Sequence, residues 1–201
     1  MSFHATKLFH TIEGGAVITN DDELARKIRL LINFGITSPT TIESVGTNAK
    51  MNEFEAAMGL CVLDEIDTIK TERQRIWQSY QTELPPGLVQ FQQWNPQSQN
   101  NHAYAPVLFE SEQQLLKVEA KLKENNIIPR RYFYPSLDTL DYLKEPVIAR
   151  SDATRQSPAT NQACLISRDI ASRILCLPIY PGLAPAQQQT ICGIIQNQVE
   201  N

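Results

Sequence analysis

Histidine is scarce, with only 3 in 201 residues. The 4 cysteines, Cys61, Cys164, Cys176 and Cys192, form no Cys-x-x-Cys pair. That spacing argues against the common zinc motifs, and no metal site is expected. Each cysteine lies in an apolar stretch, so all are read as buried free thiols. No run approaches the ~20 apolar residues that a membrane-spanning helix needs. No basic start followed by an apolar run marks a signal peptide, and a cytoplasmic location is expected. Positive charge is not in excess, because 18 Lys and Arg face 22 Asp and Glu for a net charge of −4. A nucleic-acid partner is therefore not expected, since it would call for clustered basic residues. What is present, 42% hydrophobic and 20% charged residues, suits a soluble chain with a packed core.

Glu13-Gly14-Gly15 reads as a tight turn feeding a short apolar strand through Ala16-Val17-Ile18. Asn20, with Glu23 three residues on, has the pattern of a capping box. Leu24, Ile28, Leu31 and Ile32 then fall on one face of a helix, which Asn33-Phe34-Gly35 ends. Residues 36–51 read as loop. A single long helix is expected over 53–84, stopped by Pro85-Pro86-Gly87, and a domain boundary is placed there. Beyond a solvated loop at 92–101, strands are expected over 104–109, 127–133 and 175–179. Helices are expected over 111–125, with Ser111 as cap, over 169–174 and over 184–198. Residues 134–163, with Pro135, Pro146 and Pro158, read as loop. Strand–helix alternation of this kind predicts an α/β architecture, divided into residues 1–84 and 85–201.

The chemistry is most concentrated near the start. Lys7 lies among small and polar residues, with Phe3 and Phe9 nearby, His4 three positions before it and a Gly-Gly pair after it. An amine nucleophile needs a lysine held in such a pocket. On these residues alone, a solvated surface lysine is by far the commoner reading, and a pocket amine is only the alternative. Glu13 beside the two glycines is read as structural, its carboxylate accepting backbone N–H groups.

The segment Ser2-Phe3-His4-Ala5-Thr6-Lys7, followed by Glu13-Gly14-Gly15-Ala16, resembles the cofactor-lysine segment of the DegT/StrS-type sugar aminotransferases. Thr19-Asn20-Asp21-Asp22-Glu23-Leu24-Ala25 and Asn33-Phe34-Gly35 resemble later blocks of that family. So do Gly46-Thr47-Asn48-Ala49-Lys50-Met51-Asn52-Glu53, Arg131-Tyr132-Phe133-Tyr134-Pro135 and Leu175-Cys176-Leu177-Pro178-Ile179-Tyr180. The order and spacing agree along nearly the whole chain.

The resemblance implies the C-terminal part of a fold-type-I large domain, followed by the small α/β C-terminal domain. It implies pyridoxal 5'-phosphate as cofactor, covalently carried by Lys7, which would also move the proton during transamination. Ser2 would hydrogen-bond the cofactor phosphate, its alternative being a turn-forming serine. Asn48 would reach a neighbouring subunit's phosphate, its alternative being a cap. His4, Arg131 and Tyr134 would lie near the substrate, or else be structural. The implied partners are a nucleotide-linked keto-deoxysugar, with glutamate as amino donor, and a second copy in a homodimer or a complementing N-terminal half. Related dehydratases carry a histidine where Lys7 stands, so transamination is expected. In the family, a segment ahead of Ser2 supplies the acid for the pyridinium nitrogen, a stacking ring and a Gly-Thr phosphate turn. The chain alone is therefore not expected to turn over. A non-catalytic partner or degenerate remnant is the alternative.

Overall fold

The computed structural model describes residues 1–144 and 164–199. Part of the expected loop, with Pro146 and Pro158, lies outside the described residues. The chain divides into two compact units, Met1–Thr68 and Ile69–Asn201. The division precedes the Pro85-Pro86-Gly87 stop because Ile76, Trp77 and Tyr80 are buried in the core of the second unit.

In the first unit, α1 spans Asp22–Ile32. Its cap is Asp21 and not the expected Asn20: the Asp21 carboxylate accepts from Glu23 N at 2.9 Å and Leu24 N at 3.0 Å. A carboxylate suits this position, where free N–H groups and the helix dipole both favour negative charge. Gly35, at φ +73°, ends the helix as expected, its N–H donating to Leu30 O at 2.7 Å. No residue of α1 is buried. The expected strand through Val17 and Ile18 is not formed. These two side chains are 67% and 75% exposed, and no ladder among the described residues pairs with them. The expected loop at 36–51 contains a small antiparallel pair, β1 (Ile36–Ser38) and β2 (Thr41–Ile42). Its β-branched residues favour that conformation.

The expected long helix is two. Helix α2 spans Glu53–Asp64 and α3 spans Ile66–Glu83. Glu65 between them sits at φ −101°, ψ 0°, in the sparse bridge region. Nothing in the local composition announces this break, since neither proline nor glycine occupies it. Helix α2 starts with a full capping box: Asn52 Oδ1 accepts from Glu55 N at 2.9 Å, and Glu55 Oε2 from Asn52 N at 3.2 Å.

The second unit is built on an antiparallel sheet in the order β3 (Gln90–Phe91), β4 (Ala105–Leu108), β5. Helix α4 (Glu112–Glu124) follows β4 and is capped by Ser111, as expected. A short α5 (Asp141–Lys144) and α6 (Leu165–Arg173) precede β5 (Ile174–Leu177), and α7 (Pro185–Val199) closes the described chain. Side chains alternate across the strands. Ala105, Val107, Leu175 and Leu177 join Tyr80, Leu115, Leu122, Ile191 and Ile195 in one core. The expected strand at 127–133 shrinks to a single bridge between Arg130 and Cys176. Pro178 has no N–H with which to continue that ladder, and Tyr132 N donates to Arg130 O, turning the chain away. Of the four cysteines, only Cys176 and Cys192 are buried, while Cys61 is exposed and Cys164 intermediate. The outward face of α2 explains Cys61. Burial pushes the Cys176 thiol up to about 11 and the Cys192 thiol up to about 12. No helix among the described residues is long and apolar enough to cross a membrane.

The turn before α5 is tied to α6. The Ser136 hydroxyl donates to Asp138 and meets Ser167 Oγ at 2.9 Å, and Arg168 Nε donates to Asp138 Oδ2 at 2.6 Å. The Ser136 bond first, and then Arg168, hold the Asp138 carboxyl below the usual carboxylate range. A carboxyl depressed in the folded state contributes stability at neutral pH, and loses it as pH falls through the lowered value. Asp138→Asn is therefore expected to lower the melting temperature at neutral pH, with the difference from wild type shrinking under acid, read by thermal melts across pH. Leu115→Ala empties a fully buried core position and is expected to cost about 2–5 kcal/mol in urea denaturation.

Candidate functional site

Residues 1–16 form a loop closed by backbone pairing. Phe3 N donates to Gly14 O at 2.9 Å, Ala16 N to Met1 O at 3.1 Å, and Ser2 bridges Gly15. Both glycines are required by close approach. A Cβ on Gly15 would lie 2.9 Å from Met1 O, and one on Gly14, at φ +147°, would lie 2.4 Å from Thr11 Oγ1. Thr11, itself buried, donates from its N–H to Phe3 O at 2.9 Å. Its methyl group would be 2.9 Å from a Cβ on Gly59 of α2, so the loop lies directly on that helix. Phe3 and Phe9 meet edge to face at 4.9 Å and fill the loop interior.

Lys7 stands on this loop in a turn, its N–H donating to His4 O at 2.9 Å. The side chain is exposed, and no hydrogen bond or ion pair reaches its amine among the described residues. His4 Nδ1 accepts from Thr6 N at 3.2 Å and lies 2.9 Å from Thr6 Oγ1. In the neutral ring this leaves the proton on Nε2, which faces Glu13 Oε1 at 3.5 Å. The Glu13 carboxylate thus meets a histidine, where backbone N–H partners were expected. Ser2 Oγ accepts from His4 N at 3.4 Å, which leaves its own O–H free to donate.

Asn48 lies elsewhere in the same unit and bridges Asn33 through the backbone. Its side chain does not cap α2, a role taken by Asn52. Its Oδ1 accepts from Lys50 Nζ at 2.6 Å, and Lys50 also lies over the Phe34 ring at 4.3 Å. In the sequence, Lys50 stands out only as a neighbour of Asn48 in the Gly46–Glu53 segment.

In the second unit, Arg131 and Tyr134 are brought together, the guanidinium lying 3.7 Å over the ring. Arg131 Nη2 also donates to Glu112 Oε1 at 2.9 Å and Ser172 O at 2.8 Å. These contacts tie the 131–134 turn to α4 and α6. A cavity of about 400 Å³ on the far face of the sheet is lined by Tyr104, Tyr132, Phe133, Ile170 and Cys176, and neither Arg131 nor Tyr134 contributes to its wall. The chemistry of the first unit's donor set is specific: an unpartnered primary amine suits an aldehyde, and a free hydroxyl and a carboxamide suit a phosphate.

The chain spans about half the length of the curated relatives it matches. It is 37% identical to a dTDP-4-amino-4,6-dideoxy-D-glucose transaminase of Shigella dysenteriae over 191 residues, 92% of this chain and 48% of the relative. The Escherichia coli protein of the same name is 33% identical, over 85% of this chain and 44% of its own. Among solved structures, DesI, determined in the presence of its TDP-sugar product, superposes with a TM-score of 0.79 at 30% identity, covering 98% of this chain and 48% of DesI. An aminotransferase from Brucella abortus shares the fold with a TM-score of 0.81 at 24% identity, covering 100% of this chain and 50% of that one. The architecture is thus that of the C-terminal part of a fold-type-I sugar aminotransferase. The chain belongs to the DegT/DnrJ/EryC1/StrS aminotransferase family, whose model matches residues 1–196.

Gly14→Ala is expected to destabilise the loop by about 1–3 kcal/mol through its positive φ and the Thr11 clash. Faster proteolysis within residues 1–16, with the second unit unaffected, would be the sign of it.

Proposed function

We propose that this chain supplies the C-terminal part of a pyridoxal-phosphate-dependent transaminase acting on a nucleotide-linked keto-deoxysugar, with glutamate as amino donor. The observation that carries this is the unpartnered Lys7 amine on a loop closed by backbone hydrogen bonds, within residues 1–196 matched by the aminotransferase family. Pyridoxal phosphate, when bound, supplies the electron sink that acidifies the proton beside the substrate nitrogen. Lys7 would hold the cofactor, and its amine would serve as the general base that moves that proton. The Ser2 hydroxyl donates to the phosphate, and Asn48 donates to the phosphate of a neighbouring site, in a homodimer or an assembly with a complementing N-terminal half. His4 and Glu13 hold the turn that presents Lys7. Arg131, which sets the Tyr134 ring, and Tyr134 itself are the substrate contacts proposed in the second unit. In the family, the acid for the pyridinium nitrogen and the ring that stacks on it come from ahead of Ser2. The setting is cytoplasmic amino-sugar biosynthesis.

A non-catalytic subunit is the second reading. The exposed apolar residues of the first unit, Val17, Ile18 and Leu31, favour docking against a partner in either case.

Titration with pyridoxal phosphate is expected to give a visible-edge absorbance band that borohydride fixes onto the Lys7 peptide, as located by mass spectrometry. Lys7→Ala is expected to abolish it. A band present only with a complementing first half identifies a split enzyme, and no band in any assembly sinks the transaminase reading.

A further inference from the structure

We infer that Lys50 is a positioning residue that orients Asn48 for phosphate, an inference that rests on the role of Asn48 proposed above. A carboxamide presents an acceptor on one side and two donors on the other, and the wrong face toward a phosphate repels it. Lys50 decides which face points where. An ammonium has only donors, so Asn48 Oδ1 must face it, as it does at 2.6 Å. Asn48 Nδ2 is thereby turned away from Lys50, with no partner among the described residues. The adjacent positive charge polarises the amide and strengthens its N–H donors.

Lys50 is itself anchored. Its ammonium lies 4.3 Å from the centroid of Phe34, a cation–π contact. Phe34 is held at φ +57° in the turn that ends α1, and its N–H donates to Thr47 O at 3.2 Å. The backbone beneath Asn48 is pinned on both sides, by Thr47 N to Leu31 O at 2.7 Å and Ala49 N to Ile32 O at 3.0 Å. A Cβ on Gly46 would lie 2.5 Å from Gly35 N, so this approach is open only to glycine. The constraint runs from the end of α1 through Phe34 and Lys50 to a single amide whose donors face outward.

The test separates phosphate from the rest of the cofactor. Binding of pyridoxal phosphate and of pyridoxal, which lacks the phosphate, is measured by absorbance in whichever assembly gives the Lys7-linked band. Lys50→Met keeps the side-chain stem over Phe34 but removes the ammonium. It is expected to weaken pyridoxal phosphate about 10-fold, the order of one charge-assisted hydrogen bond, and to leave pyridoxal unchanged. Lys50→Arg, which also carries donors only, restores the affinity. The double variant Asn48→Ala with Lys50→Met is no weaker than Asn48→Ala alone, because Lys50 acts through Asn48. Equal losses for both ligands, or additive losses in the double variant, overturn the inference and leave the proposed function standing. Absence of a Lys7-linked band in every wild-type assembly overturns both.

Discussion

The pairing of residues 1–3 with residues 14–16 holds the loop that carries Lys7 in place. It joins the two ends of the loop, so the turn bearing Lys7 is fixed by backbone hydrogen bonds and not by the lysine side chain. In the role proposed for Lys7, an amine that meets a carbonyl carbon at bonding distance gains most from a mount that does not move, because orientation is settled before reaction. Close approach within this loop and onto α2 explains why Gly14, Gly15 and Gly59 occur where they do. Each removes a side chain at a point where the loop, Met1 or helix α2 comes too near for a Cβ. Lys7 is left as the group with nothing else to do.

The second unit is held differently, by a closed apolar core with a few polar anchors. Gln188 Nε2 donates to Ile76 O at 2.7 Å, Tyr80 Oη to Pro178 O at 2.8 Å, and Arg73 Nη1 to Ile179 O at 2.8 Å. These carbonyls lie at the end of β5 and inside α3, where backbone partners are missing or shared, and leaving them unmet in the interior would cost more than the bonds gain. Desolvation holds the Tyr80 phenol well above its ordinary value, so it stays protonated as a donor. These anchors fix α3 and α7 against the sheet independently of any ligand.

What could be read from the sequence divides along the same lines. Helix α4 and its Ser111 cap, the Gly35 stop and the strand at β4 were legible because each is written in residues next to one another. Asp21 displaced Asn20 as cap by a single position, a choice between two good acceptors that composition does not settle. The break at Glu65 and the loss of the strand after Ile127 were not legible, since both depend on what packs or pairs from far along the chain. Pro178 limits a bridge to Arg130 across a sequence gap that no local pattern reveals. The site shows the same split. Ser2, His4 and Lys7 stand in one short block, whereas the Lys50 contact to Asn48 concerns the rotamers of two exposed side chains. Arg131 was visible as a charged residue in an aromatic run, but its bond to Glu112 was not.

The first unit also shows how a sequence pattern can be correct while the burial it encodes is absent. Leu24, Ile28, Leu31 and Ile32 mark a helix face, and the helix forms, yet none of its residues is buried. Val17 and Ile18 have the character of a core strand and stand in solvent. Burying a side chain of this kind is worth about 1.5–3 kcal/mol, so a unit that leaves several exposed forgoes a stabilisation comparable with a whole domain's net stability. The relatives carry about as much chain again as is matched here. Apolar residues at α1 and at 16–18 form a surface that no sheet among the described residues covers. The loop that carries Lys7 needs no such sheet, because its own backbone bonds close it. The loop that carries Lys7 and the exposed apolar surface are therefore separable parts of one unit.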